Sequence, residues 1–270
     1  MPKWVSSFRA ADVNESLKPL AMDWKSATWK ILAVLAAILL TAIVYAPAVW
    51  LGDLLHPRGP VRLIHPAGTI WDGSAMIAVS DGQMSRLVPG RISWSLLWPE
   101  LLSGRMVLSV RHPLADSAMR IGLDGHALRL HAGDAHIPAA LLSVLGAPFN
   151  TVRPGGTLQV RWDDLSIERD AIEGSVQVDW LDAQSALSPV APLGNYRMTA
   201  LGRGRHGEAK LTTLKGPLLL EGAGSVENGR IRFNATASAQ PEMRASLSGL
   251  IAVLGRRTGD QAVLHWEMQR

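Results

Sequence analysis

Leu158-Gln-Val-Arg-Trp162 and, further along, Val176-Gln-Val-Asp-Trp180 alternate apolar and polar residues at a period of two. That period belongs to a strand with one buried and one wet face. The alternation recurs outward from these stretches, at Met106, Leu108 and Val110, at Leu128 and Leu130, at Ile231 and Phe233, and at Leu264, Trp266 and Met268. Arg105, Arg129, Gln159, Arg161, Gln177, Asp179, Arg230 and Arg232 then project from the opposite face, as an antiparallel sheet with one solvated side requires. Turn signals separate the runs: Asp81-Gly82, Asp124-Gly125, Pro154-Gly-Gly156, Glu173-Gly174, Asn228-Gly229 and Thr258-Gly-Asp260. Crossover connections need helical stretches that are missing between these strands, so hairpins join them. The reading is mainly β, an antiparallel meander with a few short helices.

Three helices are predicted within this β-rich part. Pro241-Glu-Met243 opens one that places Met243, Leu247, Leu250, Ile251 and Leu254 on a single face, with Gly255 closing it just past the C-cap, so it should lie across a sheet. Ile137 to Leu145 and Leu96 to Leu102 give shorter ones, Pro99 being tolerable in a first turn. Arg91-Ile-Ser-Trp94 followed by Gly104-Arg-Met-Val-Leu-Ser-Val110 echoes Leu158 to Trp162 followed by Gly174-Ser-Val-Gln-Val178. This weak duplication suggests two similar β-modules, 60–147 and 152–270, meeting near Pro148 to Gly156 and forming a curved sheet.

Ile31 to Trp50 is a run of 20 residues without a charge. As one helix it reaches roughly 30 Å, a hydrocarbon thickness. Trp29 at one end, and Tyr45 and Trp50 near the other, suit the interfacial belts. A cleaved signal peptide is the rival, because Ala46-Pro-Ala48 offers a small-x-small site, but three acids (Asp12, Glu15 and Asp23) in the long pre-segment count against it. Lys3, Arg9, Lys18, Lys25 and Lys30 precede the run, whereas Arg58 and Arg62 are the bases in the next 20 residues, so the N-terminus is expected to stay in the cytoplasm. The expected organisation is a cytoplasmic segment over 1–29, a single-pass signal anchor over 30–50 and a periplasmic β-rich domain over 51–270.

The chain has 270 residues, 47% hydrophobic and 19% charged, which is a globular composition. Lys+Arg 27 against Asp+Glu 23 gives +4, and the charges interleave, so nucleic acid is not an expected partner. With no cysteine, a disulfide framework, a thiolate zinc site and a thiol nucleophile are excluded. Gly202-Arg-Gly-Arg-His-Gly207 satisfies a G-x-G-x-x-G spacing, yet too few residues follow it for a phosphate-binding helix, and it reads as a basic hairpin turn. His126, His131 and His136 are five apart, which throws alternate members to opposite faces of a strand. Asp163-Asp164 and Glu168-Arg-Asp170 read as solvated turn charges, and Trp94, Trp162, Trp180 and Trp266 as core. No catalytic residue, metal ligand, cofactor or small-molecule substrate is expected, and the protein is read as not an enzyme.

Gly68-Thr-Ile-Trp-Asp-Gly-Ser-Ala75, then Arg91-Ile-Ser-Trp94, then Leu101-Leu-Ser-Gly104, resembles the opening pattern of type II secretion system protein N. Gly216-Pro-Leu-Leu-Leu-Glu-Gly222, Gly229-Arg-Ile-Arg-Phe233, Ala239-Gln-Pro-Glu242 and Leu250-Ile-Ala-Val-Leu-Gly255 are similar to its C-terminal block. The resemblance marks Gly68, Thr69, Trp71, Gly73, Ala75, Trp94 and Gly104 as the motif, either a packing device or a partner contact. Read from the residues, Gly68 and Gly73 permit a tight turn while Trp71 fills a pocket between sheets. The resemblance implies an inner-membrane component that supports export of folded proteins across the outer membrane by binding and positioning other subunits, namely inner-membrane platform components and the secretin. The family also resembles AsmA-type proteins, which implies the alternative of an apolar β-groove that binds or transfers lipid. An apolar face closed by the 241 to 255 helix favours the first reading, and an open one favours the second.

Overall fold

The computed structural model describes residues 24–51, 61–80, 85–124, 127–145, 149–227 and 229–269. The expected cytoplasmic residues 1–23, the Asp81-Gly82 turn and His126 lie outside the described residues. The chain divides into two compact units, at Tyr45 and Ala46.

The first unit carries helix α1 (Trp24–Val44). Its apolar side chains from Ile31 to Val44 are all exposed. The uncharged stretch within the helix is therefore 14 residues, about 21 Å at 1.5 Å per residue. Among the described residues no helix is long and apolar enough to cross a membrane. The 20-residue apolar run does not form one helix: it stops at Tyr45, and Ala46 and Ala48, buried at 2% and 1% exposure, belong to the second unit.

In the second unit, sixteen described strands form one antiparallel sheet. They are β1 (Val61–Gly68), β2 (Asp72–Ser80), β3 (Ser85–Leu96), β4 (Met106–Arg111), β5 (Met119–Asp124), β6 (Ala127–Leu130), β7 (Gly133–Pro138) and β8 (Pro154–Trp162). There follow β9 (Leu165–Ile167), β10 (Ile172–Ser185), β11 (Gly194–Gly204), β12 (His206–Lys215), β13 (Leu218–Glu227), β14 (Arg230–Ala239), β15 (Arg256–Thr258) and β16 (Gln261–Gln269). The order is almost sequential, as hairpins dictate: β1 to β6, then β9 to β14, then β16 and β15, with β7 and β8 added along the edge of β10. Short helices interrupt it: α2 (Trp98–Leu102), a 3-10 helix (Ala139–Leu145), α3 (Phe149–Val152), a 3-10 turn (Pro241–Met243) and α4 (Arg244–Leu254).

Register places Val176, Ala200, Ala209, Gly224, Phe233 and Trp266 in one row across six strands, and Val178, Met198, Leu211, Gly222, Ala235 and Leu264 in the next. The period-two alternation thus becomes one apolar face. Leu247, Leu250 and Ile251 of α4 bury themselves against Tyr196, Leu218, Ala237, Ala239 and Ala262 at one end of that face. Toward the other end Met198 and Trp266 stay exposed, the latter at 49%, so Trp266 is not the core residue its phase suggested. Trp94 and Trp162 are buried as expected. Gly255 is also corrected: its backbone is extended rather than left-handed, and glycine is needed there because a Cβ would lie 2.6 Å from the Val263 carbonyl oxygen. Ile137 and Pro138 belong to β7, so the helix expected from Ile137 starts at Ala139.

Candidate functional site

The motif residues begin at the β1–β2 turn. Gly68 has φ +86°, and a Cβ there would lie 2.5 Å from the Asp72 carbonyl oxygen, so the chain reverses only with glycine. The Thr69 amide donates to the Asp72 carbonyl at 2.7 Å, and the Asp72 amide donates to Thr69 Oγ1 at 3.0 Å, a side-chain turn that frees no donor inside the loop. Gly73 pairs with Gly68 on one side and Trp94 on the other. Its missing side chain makes room for the Trp94 ring, which a Cβ would meet at 2.6 Å. Trp94 is 7% exposed and its indole N–H donates to the Ile70 carbonyl at 3.1 Å, which ties β3 to the turn. It is Trp94 that packs beneath this turn: among the described residues there is one sheet rather than two, and Trp71 is half-buried, its carbonyl accepting from the Leu96 amide.

The outer side of this turn holds a segment from before β1. The Ile70 amide donates to the Ala46 carbonyl at 2.9 Å, the Ala48 amide donates to the Gly68 carbonyl at 3.0 Å, and Pro47 bridges Thr69. Ala48 packs in a cluster with Ala75, Trp94 and Val110, and Leu51 lies against it. The Ala46-Pro-Ala48 residues that resemble a cleavage site are small because they are buried here. Sequence reasoning missed this clamp; its signal was the persistence of apolar character beyond a proline that ends the helix.

Ala75 is fully buried and Trp94 nearly so, whereas Gly104 stands apart from them. It follows α2 with φ +80° and open space around its Cα, and its amide closes the helix onto the Leu101 carbonyl at 2.9 Å. Five of the seven motif residues (Gly68, Thr69, Gly73, Ala75 and Trp94) therefore serve the clamp, Trp71 flanks it, and Gly104 shapes a neighbouring turn.

Titratable groups gather elsewhere. Asp179, buried on the polar face, accepts from Arg197 at 2.7 and 2.9 Å, from Arg161 at 2.9 Å and from Gln177 at 3.0 Å. The Arg197 guanidinium holds the Asp179 carboxyl below the ordinary carboxylate range. Tyr196 is buried, shares its hydroxyl between the Leu193 and Leu218 carbonyls, and titrates well above a normal phenol because burial disfavours the phenolate. His131 lies near Asp164, and His136 near Asp116 at 3.4 Å, so the two histidines part company. Asp116, Asp134 and His136 bring one ligand atom each within 4.8 Å of one another and are the described group that could hold a cation. Asp134 is raised by its hydrogen bond with Asp116. Gly202 and Gly207 pair across the β11–β12 hairpin, whose turn is at Arg205, as the basic-turn reading requires.

Residues 59–264, about three quarters of the chain, match the family described as Type II secretion system (T2SS), protein N. No curated protein and no solved structure matches the chain. The matched region contains the whole clamp turn, its Trp94 support and the α4 segment, and the chain belongs to the type II secretion system protein N family.

Proposed function

We propose that this type II secretion component is anchored in the inner membrane by α1 and holds its sheet in the periplasm, where it binds and positions other subunits without catalysing a reaction. The observation that carries this reading is the clamp: just after an apolar helix, Ala46 and Ala48 are fixed by backbone hydrogen bonds to the turn that bears the family motif, and Leu51 packs against the cluster beneath it. Lys30 can snorkel and Tyr45 can sit at the interface, which extends the effective apolar length of α1. The excess of bases before the helix argues for a cytoplasmic N-terminus. Tethering restricts the sheet to the membrane surface and raises its effective concentration near platform components and the secretin. Deleting the gene and assaying extracellular enzymes tests the role. Substrates should accumulate in the periplasm and be released again when the full chain is restored; undiminished export from the deletion strain contradicts it.

A second reading, a lipid-holding sheet, is favoured by one observation. The rows through Val176 and Val178 are not closed at their Met198 and Trp266 positions, and a shallow, open recess of about 680 Å³ runs across β10 to β13, lined by Val176, Ala200 and Ala209 and also by Gln177, Glu208 and Lys210. Native mass spectrometry of the purified chain distinguishes the readings: a stoichiometric adduct of phospholipid mass supports this one, and an adduct-free spectrum removes it.

A further inference from the structure

Leu101 and Leu102 belong to the family-like pattern, yet packing does not use them. Leu102 is 90% exposed and Trp98 is 55% exposed, and no residue of α2 is buried. The tip is nevertheless held by local bonds. Pro99 sits in the first turn of the helix, the Ser103 hydroxyl and the Arg105 amide both donate to the Glu100 carbonyl, and the Arg105 guanidinium pairs with the Glu100 carboxylate at 2.8 Å. A tip held this way to display tryptophan and leucine, with its one acid already paired, presents an uncharged apolar surface.

Its place in the sheet indicates what that surface meets. Gly68↔Gly73, Asp72↔Ser95 and Leu96↔Leu108 put the end of β1, the start of β2, the end of β3 and the start of β4 at one end of the strands. α2 connects β3 to β4 there, and the clamped segment is there too, through Pro47 and Thr69. Val49 and Trp50 of that segment are also exposed. Four residues lie between Val44, the last of α1, and Val49, so the chain between them reaches at most about 18 Å. We infer that Trp98, Leu101 and Leu102, together with Val49 and Trp50, form a foot that inserts into the headgroup boundary of the bilayer. Indole and leucine side chains on a neutral support suit that layer, where an amphipathic ring keeps its N–H wet and an alkyl group reaches the acyl chains. The inference rests on the proposal that α1 is the membrane anchor.

The chain has no cysteine, so single labels can be placed freely. Full-length L102C, L39C and E242C are reconstituted in nanodiscs of phosphatidylcholine and phosphatidylglycerol. Each carries a fluorophore whose collisional quenching by a lipid nitroxide high on the acyl chain is measured. Leu102 is almost fully exposed, so its replacement leaves the fold intact; Leu39 lies in α1, and Glu242 is exposed at the opposite end of the strands. The label at 102 should be quenched several-fold more than the label at 242 and approach the label at 39. Quenching at 39 with none at 102 overturns the foot, assigns the surface to a protein partner and leaves the anchor standing. Absence of quenching at 39 removes the anchor, and the foot with it.

Discussion

A methyl group at position 73 has no space to occupy, since it would lie 2.6 Å from the Trp94 ring and 2.8 Å from the carbonyl oxygens of Ala67 and Thr69. Backbone oxygens cannot give way as a flexible side chain could. Gly73→Ala should therefore cost about 3 kcal/mol by overpacking. Gly104→Ala tests the other use of glycine, because its φ is +80° but nothing lies within 4 Å, and conformational strain alone should cost about 1 kcal/mol. Urea unfolding of the full chain, followed by circular dichroism, checks the difference; equal costs at the two positions would refute the role given to Trp94. The importance of glycine at 68 and 73 was legible in the sequence, whereas the choice of tryptophan was not. Trp71 lies within the glycine-bearing turn in the sequence and Trp94 lies far along β3, and only the β2–β3 register, which pairs residue 94 with Gly73, decides which ring goes beneath the turn.

At the scale of elements, periodicity worked wherever one face of the element meets water. The strands around Trp162 and Trp180, and the Leu247, Leu250 and Ile251 face of α4, are as the spacing requires because burial is what selects the spacing. It misled where apolar residues outnumber the covering elements. Trp266 is in phase with buried neighbours yet lies beyond the reach of α4, and Met243 sits in the 3-10 turn before α4, 38% exposed. This division gives a paired prediction for α4. Leu247→Ala empties a site with 0% exposure and should cost about 3 kcal/mol, while Val253→Ala, on the exposed side, should cost under about 0.5 kcal/mol. Thermal or denaturant midpoints of the two variants measure this, and a Val253 effect as large as that of Leu247 would mean that another surface covers the helix.

Across the whole molecule, hydropathy marked Ile31 to Trp50 as apolar but could not tell lipid from protein as the destination, because transfer from water rewards both alike. The structure divides the run: Ile31 to Val44 stays exposed on α1, whereas Ala46 and Ala48 are buried and Ala48 joins the cluster beneath the motif turn. That pairing joins residues twenty or more positions apart, so no local window of sequence contains it. The motif was recognisable as a family pattern, but its use in fixing the chain after the helix came from the backbone hydrogen bonds of Ala46, Ala48 and Ile70. The account as a whole depends on α1 placing everything after it outside the cytoplasm. Alkaline phosphatase fused after Arg270 tests this directly, since the enzyme is active only where its disulfides can form. Activity in intact cells, lost when α1 is removed, is the predicted result. A fusion that is inactive, but present at normal levels in the cytoplasm, would contradict the account.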